Sequence, residues 1–262
     1  MNTRKNVTLW LALFVLVSLA CGWINGVSPL SGNPPAGSNA TQPPAMNVAT
    51  PLSGNPPAGD LSGTEMLQIE RVSFAAYPWR MTTTVLVKET GETAVSVVEA
   101  QSPTTVHTQA VQTIEGDDVT IDAILIDSNL YMKGTGGPAE YYALYGAVEG
   151  QWMPVPPEHE FYDYAELARL AADPVSLLDT LLGEGFAGLL AGMQDQVLTP
   201  AGSESVFGMM TNIYEYAGPI VTYRWWIGPD QRLYRLTTDS TLSTTTIRVE
   251  YDSSIRIEAP LP

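Results

Sequence analysis

The chain has 262 residues, is 45% hydrophobic and 15% charged, and sets 12 Lys+Arg against 28 Asp+Glu for a formal charge of −16. That length suits one large domain or two small ones with a sizeable core; the acidic balance excludes a nucleic-acid partner, which needs a basic face to neutralise phosphates. One cysteine and two histidines exclude a disulfide framework and a multi-cysteine zinc site, and the composition points away from an enzyme.

Residues 1–20 read as an export signal. Arg4 and Lys5 precede the uncharged run Leu9–Ala20 (LWLALFVLVSLA). This run is shorter than the roughly 20 residues a membrane-spanning helix needs, and it fits the apolar region of a signal peptide. The join Val17-Ser18-Leu19-Ala20-Cys21 resembles a bacterial lipobox, with Ser18 where leucine is usual. That resemblance implies that Cys21 becomes the lipidated (palmitate-bearing) first residue of a chain anchored to the extracytoplasmic face of the cell membrane. Removal of the signal takes Arg4, Lys5 and no acidic residue, which moves the formal charge from −16 to −18.

Residues 21–64 read as a tether. Their composition is dominated by Pro, Gly, Ser, Asn, Thr and Ala, and the segment PLSGNPPAG at 29–37 recurs at 51–59. So few large apolar groups cannot offset the entropy of ordering the chain by burial. As flexible coil, such a spacer reaches roughly 35 Å from its anchor.

Residues 65–262 carry the folded domain, and most of this stretch shows the two-residue period of half-buried antiparallel strands. Met81–Val87 and Thr93–Ala100 flank a turn at Glu89-Thr90-Gly91, and Thr104–Ile114 and Val119–Ile126 flank a second at 115–118. Asn129–Lys133 is a short strand. Later come Ser205–Tyr216, Ile220–Ile227, Arg232–Asp239 and Thr244–Tyr251, rich in the β-formers Thr, Val, Ile, Tyr and Trp. The pattern reads as one continuous meander. Between the two strand groups lies the one convincing helical region. Tyr162–Ala172 uses good helix formers, Asp173-Pro174 breaks it, and Leu177, Leu178, Leu181 and Leu182 then form an apolar face. Phe186, Leu189, Leu190 and Met193 continue it, and the sheet is the natural cover for this surface.

Candidate chemistry is sparse. Glu158-His159-Glu160 is the densest set of possible ligands, yet adjacent residues rarely converge on one ion, and a solvated loop is the simpler reading. Gly134–Gly137 follows Lys133, the wrong order for a phosphate loop. His107 sits in an alternating strand pattern with no identifiable partner, so it reads as a strand-face residue and not a general base. Tyr141, Tyr142 and Tyr145 read as sheet packing, and Trp225 and Trp226 must point to opposite faces of one regular strand. No catalytic residue, metal site or cofactor is indicated.

Five pieces, in this order, resemble the lipoprotein-carrier superfamily that includes LolA and LppX/LprG: Ile124–Lys133 (ILIDSNLYMK), Gly150-Gln151-Trp152, Gly208–Tyr214 (GMMTNIY), Trp225–Arg235 (WWIGPDQRLYR), and Tyr251-Asp252-Ser253 with Pro260. The resemblance covers roughly residues 65–262. It implies an α+β fold in which a strongly curved antiparallel sheet forms a half-barrel with helices packed over its concave face. It also implies noncovalent binding of a lipid or other hydrophobic molecule between sheet and helices. Leu177, Leu181, Phe186 and Leu189 would then gate the cavity, and Leu125 would stand in its back wall. The alternative from another class is a ligand-free envelope sensor or interaction module on the same fold.

Overall fold

The computed structural model describes residues 59–114, 117–136, 148–157, 168, 196–218 and 221–260. The signal, Cys21, the three tyrosines at 141–145, Glu158-His159-Glu160 and the stretch holding Leu177, Leu181, Phe186 and Leu189 lie outside these residues.

The described chain runs β1 (Leu61–Ser62), α1 (Gly63–Ala75), β2 (Trp79–Val87), β3 (Thr93–Ser102), β4 (Thr105–Ile114), β5 (Asp117–Ile126), β6 (Asn129–Thr135), β7 (Met153–Val155), β8 (Val197–Val206), β9 (Met209–Ala217), β10 (Val221–Ile227), β11 (Leu233–Ser240) and β12 (Ser243–Glu250). All strands join one antiparallel 12-stranded sheet in the order β1-β8-β9-β10-β11-β12-β2-β3-β4-β5-β6-β7. The strands therefore form two meanders, β2–β7 and β8–β12, and not the single run expected. The C-terminal strand returns to pair with β2 along its whole length, from Ser243↔Val87 to Glu250↔Arg80.

The expected strand at Ser205–Tyr216 is in fact a hairpin. β8 ends at Val206, and the chain reverses through Phe207 (φ 50°) and Gly208 (φ 77°). Two left-handed residues make the tight turn whose twist matches antiparallel strands, and glycine at the second position is its usual mark.

The folded part also begins before residue 65. Leu61 and Ser62 pair with Leu198 and Val197, and α1 starts at Gly63, a helix absent from the sequence-based expectation. Its start is set by a capping box. The Ser62 hydroxyl accepts the Glu65 amide at 3.2 Å, and the Glu65 carboxylate accepts the Ser62 amide at 2.8 Å. Met66, Ile69, Ser73 and Phe74 recur at helical spacing and form the buried side.

That side of α1 rests on the sheet face carrying Trp79, Met81, Tyr223, Trp225, Ile227 and Leu233, which together form the main core. Hydrogen bonds fix its seat. The Ser73 hydroxyl donates to the Ile69 carbonyl (2.6 Å) and accepts the Leu233 amide (2.8 Å), and the Trp79 indole donates to the Phe74 carbonyl (3.0 Å) near the helix end. Replacing Ser73 by Ala leaves the Leu233 amide without its acceptor inside the core. Urea unfolding of S73A is expected to show a loss of about 1–3 kcal/mol; an unchanged midpoint would mean that this bond does not hold α1.

Candidate functional site

Strand register sorts the sheet into two chemically different faces. Toward α1 point Trp79, Met81, Val98, Ala100, Val106, Leu125 and Trp225, all buried. Leu125, the strand residue expected in a cavity wall, is 0% exposed. It belongs to a second apolar cluster, separate from the one around α1, with Ala123, Leu130, Val155 and the helical residue Ala168. Ile121, Met132 and Met153 pack against this cluster but are only partly buried. Trp226 turns away from its neighbour Trp225, into a cluster with Val206 and Tyr234 on the opposite face, where the Arg235 guanidinium lies 3.7 Å from its ring centroid.

On the α1 face, one carboxylate enters the apolar core. Glu70 of α1 accepts the Trp225 indole N–H at 2.7 Å. Burial pushes its pKa up to about 7, against the lowering effects of the indole bond and nearby Arg71. A carboxyl raised in the folded state favours folding below its unfolded value near 4.5, and that advantage is lost as pH rises toward 7. Urea unfolding of the wild type is therefore expected to lose about 1–2 kcal/mol between pH 4.5 and 7.5 relative to E70Q, with the part exposure of the residue allowed for. Parallel pH profiles for the two proteins would show that Glu70 is not desolvated.

The opposite face carries a row of charges crossing neighbouring strands. Arg80 of β2 donates to Glu99 of β3 (2.7 Å) and lies 3.6 Å from Glu250 of β12. His107 of β4 bridges Glu99 (3.1 Å) and Asp122 of β5 (3.3 Å). Asp122 in turn accepts Gln109 (2.9 Å) and meets Lys133 of β6 (3.2 Å), whose ammonium sits over the Trp152 ring. Hydrogen bonds, from Asp122 first and then Glu99, raise the His107 pKa against the opposing effect of its burial. Burial works to raise the pKa of Glu99 and Asp122, yet bonds from His107, Arg80, Gln109 and Lys133 hold both below the usual carboxylate range.

His107 thus has the two partners that sequence inspection did not find. The Glu99↔His107 register sits behind a short β3–β4 turn with an irregularity at Ala100/Ser102, so residue counting alone would misplace it by one. The row binds strand to strand, and each acid in it is matched to a base. Among the described residues, no group of three or more His, Cys, Asp or Glu is placed to hold a metal. No described helix is long and apolar enough to cross a membrane.

No protein-family model matches the chain, and no curated protein matches it in sequence. Solved structures do. The crystal structure of LprF from Mycobacterium bovis shares 14% identity, with 80% of this chain and 100% of that chain covered at a TM-score of 0.44. For lipoprotein LppX of Mycobacterium tuberculosis the figures are 14%, 75%, 97% and 0.41. For a LolA superfamily protein from Nitrosomonas europaea they are 10%, 77%, 96% and 0.25.

Proposed function

We propose that this chain is an extracytoplasmic lipoprotein, anchored through Cys21 and held off the membrane by its Pro/Gly/Ser-rich tether, that carries a lipid or other hydrophobic molecule on the α1 face of its sheet. On this reading the 12-stranded sheet is a half-barrel, and the Leu-rich stretch at 175–193 is proposed to join α1 in covering its concave side. Leu177, Leu181, Phe186 and Leu189 are proposed as its movable wall, with Leu125 in the fixed one.

The observation that carries this reading is the second apolar cluster. α1 packs at Trp79, Trp225 and Leu233, while the face around Leu125 keeps Ile121, Met132 and Met153 only partly covered. An acyl chain that covers such groups gains about 0.8 kcal/mol per buried CH₂. The charged row is confined to the other face and is internally paired, which leaves the α1 face to apolar contacts.

The test is native mass spectrometry on the mature chain (residue 21 onward, with Cys21→Ser), purified without detergent from a lipid-containing host. A discrete added mass that extracts into organic solvent as a lipid is expected, and it should fall at least several-fold in a folded Leu181→Asp variant. A clean apo mass, unchanged after incubation with vesicles, would instead favour a ligand-free interaction module.

A further inference from the structure

The β8–β9 hairpin projects past the body of the sheet. The last residue of β9 paired with β10 is Asn212, opposite Ile227, so among the described residues Met209, Met210 and Thr211 pair with β8 alone. On its outer side β8 meets β1 only at Val197 and Leu198. Beyond its chain neighbours, no described atom lies within 4 Å of where a Gly208 Cβ would stand. The turn is open on all sides.

This tip is apolar where a turn is normally polar. Phe207 is 55% and Met210 62% exposed, while Val206 and Met209 pack below them in the Trp226 cluster. Phe207 holds φ at 50° and Gly208 at 77°. Asn or Asp suits the first position of such a turn and keeps it hydrated; a bulky aromatic there is a steric outlier. A side chain more than half exposed adds little to the core in return. Phe207 is therefore poorly chosen for the fold alone.

Direction, charge and size select what covers it. β1 is antiparallel to β8, so the chain enters the sheet heading away from the tip, and the tether joins it from the tip's side. That tether reaches roughly 35 Å from its anchor. Between Ser203 and Asn212 the one charged residue is Glu204, whose carboxylate Arg235 holds at 3.0 Å. The opposite end of the sheet also exposes Leu86, Val87 and Leu242. There, however, Glu89 and Glu92 stand in the adjoining turn, and Lys88 is taken up by Asp239 at 2.8 Å. Two exposed side chains cover on the order of a few hundred Å², well short of the roughly 1,000 Å² of a stable protein interface. A bilayer accepts single apolar side chains, and a tethered domain needs only a weak insertion to stay seated.

We propose that Phe207 and Met210 form a membrane-inserting tip that seats this end of the sheet in the lipid surface to which the chain is anchored. The inference rests on the anchoring through Cys21 proposed above. It turns toward the bilayer the end of the sheet at which α1 finishes, where Ser73 meets Leu233.

The experiment is hydroxyl-radical footprinting of the mature chain (residue 21 onward), free and coupled through Cys21, its one cysteine, to dimyristoylphosphatidylcholine vesicles carrying a maleimide lipid. Coupling should slow modification of Phe207 and Met210 at least about threefold, as for a tip that is docked most of the time. Leu242, at the opposite end, should react at its free rate. In F207N, Met210 should return to the free rate with Tm unchanged or higher, because Asn-Gly suits this turn. Equal reactivity of Met210 with and without vesicles overturns the tip, as does equal protection of Leu242 or protection of Met210 that persists in F207N. A marked fall in Tm of F207N also overturns it, since Phe207 then serves the fold. Protection that grows with protein concentration in the free chain assigns the tip to a second copy and overturns the membrane as its occupant. Because coupling is chemical, the anchoring reading fails separately: an intact mass from bacterial membranes showing Cys21 without acyl groups overturns the anchor and the tip's membrane with it, whereas an unprotected tip leaves the anchor and the carrier reading standing.

Discussion

The pairing of β12 with β2 is the constraint on which the rest of the structure depends. It joins segments about 160 residues apart in the chain, Arg80–Val87 and Ser243–Glu250, and turns two meanders into one surface. Without it, the core around α1 would lose one of its walls, because that core draws Trp79 and Met81 from the first meander and Trp225, Leu233 and Val249 from the second. α1 enters β2 directly, so the same pairing brings the helix over β10 and β11. Bonds of this sequence separation carry a large loop-closure cost, and only the burial of a shared apolar face offsets it.

The two faces then divide the work. Toward α1 the chain places mainly aromatic and aliphatic groups, with polar ones among them such as Glu70 on Trp225, Ser73 on Leu233, and the buried Thr83, Thr238 and Thr245. On the other side, Arg80, Glu99, His107, Asp122 and Lys133 neutralise one another across successive strands. A chain with a formal charge of −16 places bases beside its semi-buried acids here, which limits the repulsion within the sheet.

Strand positions were the most legible part of the sequence, because alternation is a local signal. β2, β3, β4, β5, β10, β11 and β12 lie within a few residues of where that alternation puts them. Their order was not legible, since nothing local announces that Ser243–Glu250 returns to Arg80–Val87. α1 was legible and overlooked. Ser62 followed by Glu65 is a capping box, but it follows a tract of proline and glycine whose low complexity masked it. The break at Phe207 was hidden because an aromatic residue rarely occupies a left-handed turn position. The inward direction of Leu125 was readable from the strand pattern alone. Glu70 went unread with its helix, and the partners of His107 required strand register, which sequence period cannot supply.

Among the described residues the sheet does not close on itself, and its two outer strands on either side are handled alike. β7 has only three residues, with Pro154 in the middle. β8 meets β1 only at Val197 and Leu198; farther along it carries Pro200, and its register with β9 slips between Pro200 and Gly202. Proline removes a donor from the outer row, and a slipped register bends the strand out of the flat geometry that another chain could extend. Two prolines thus stand where a second chain would otherwise find an open row of donors.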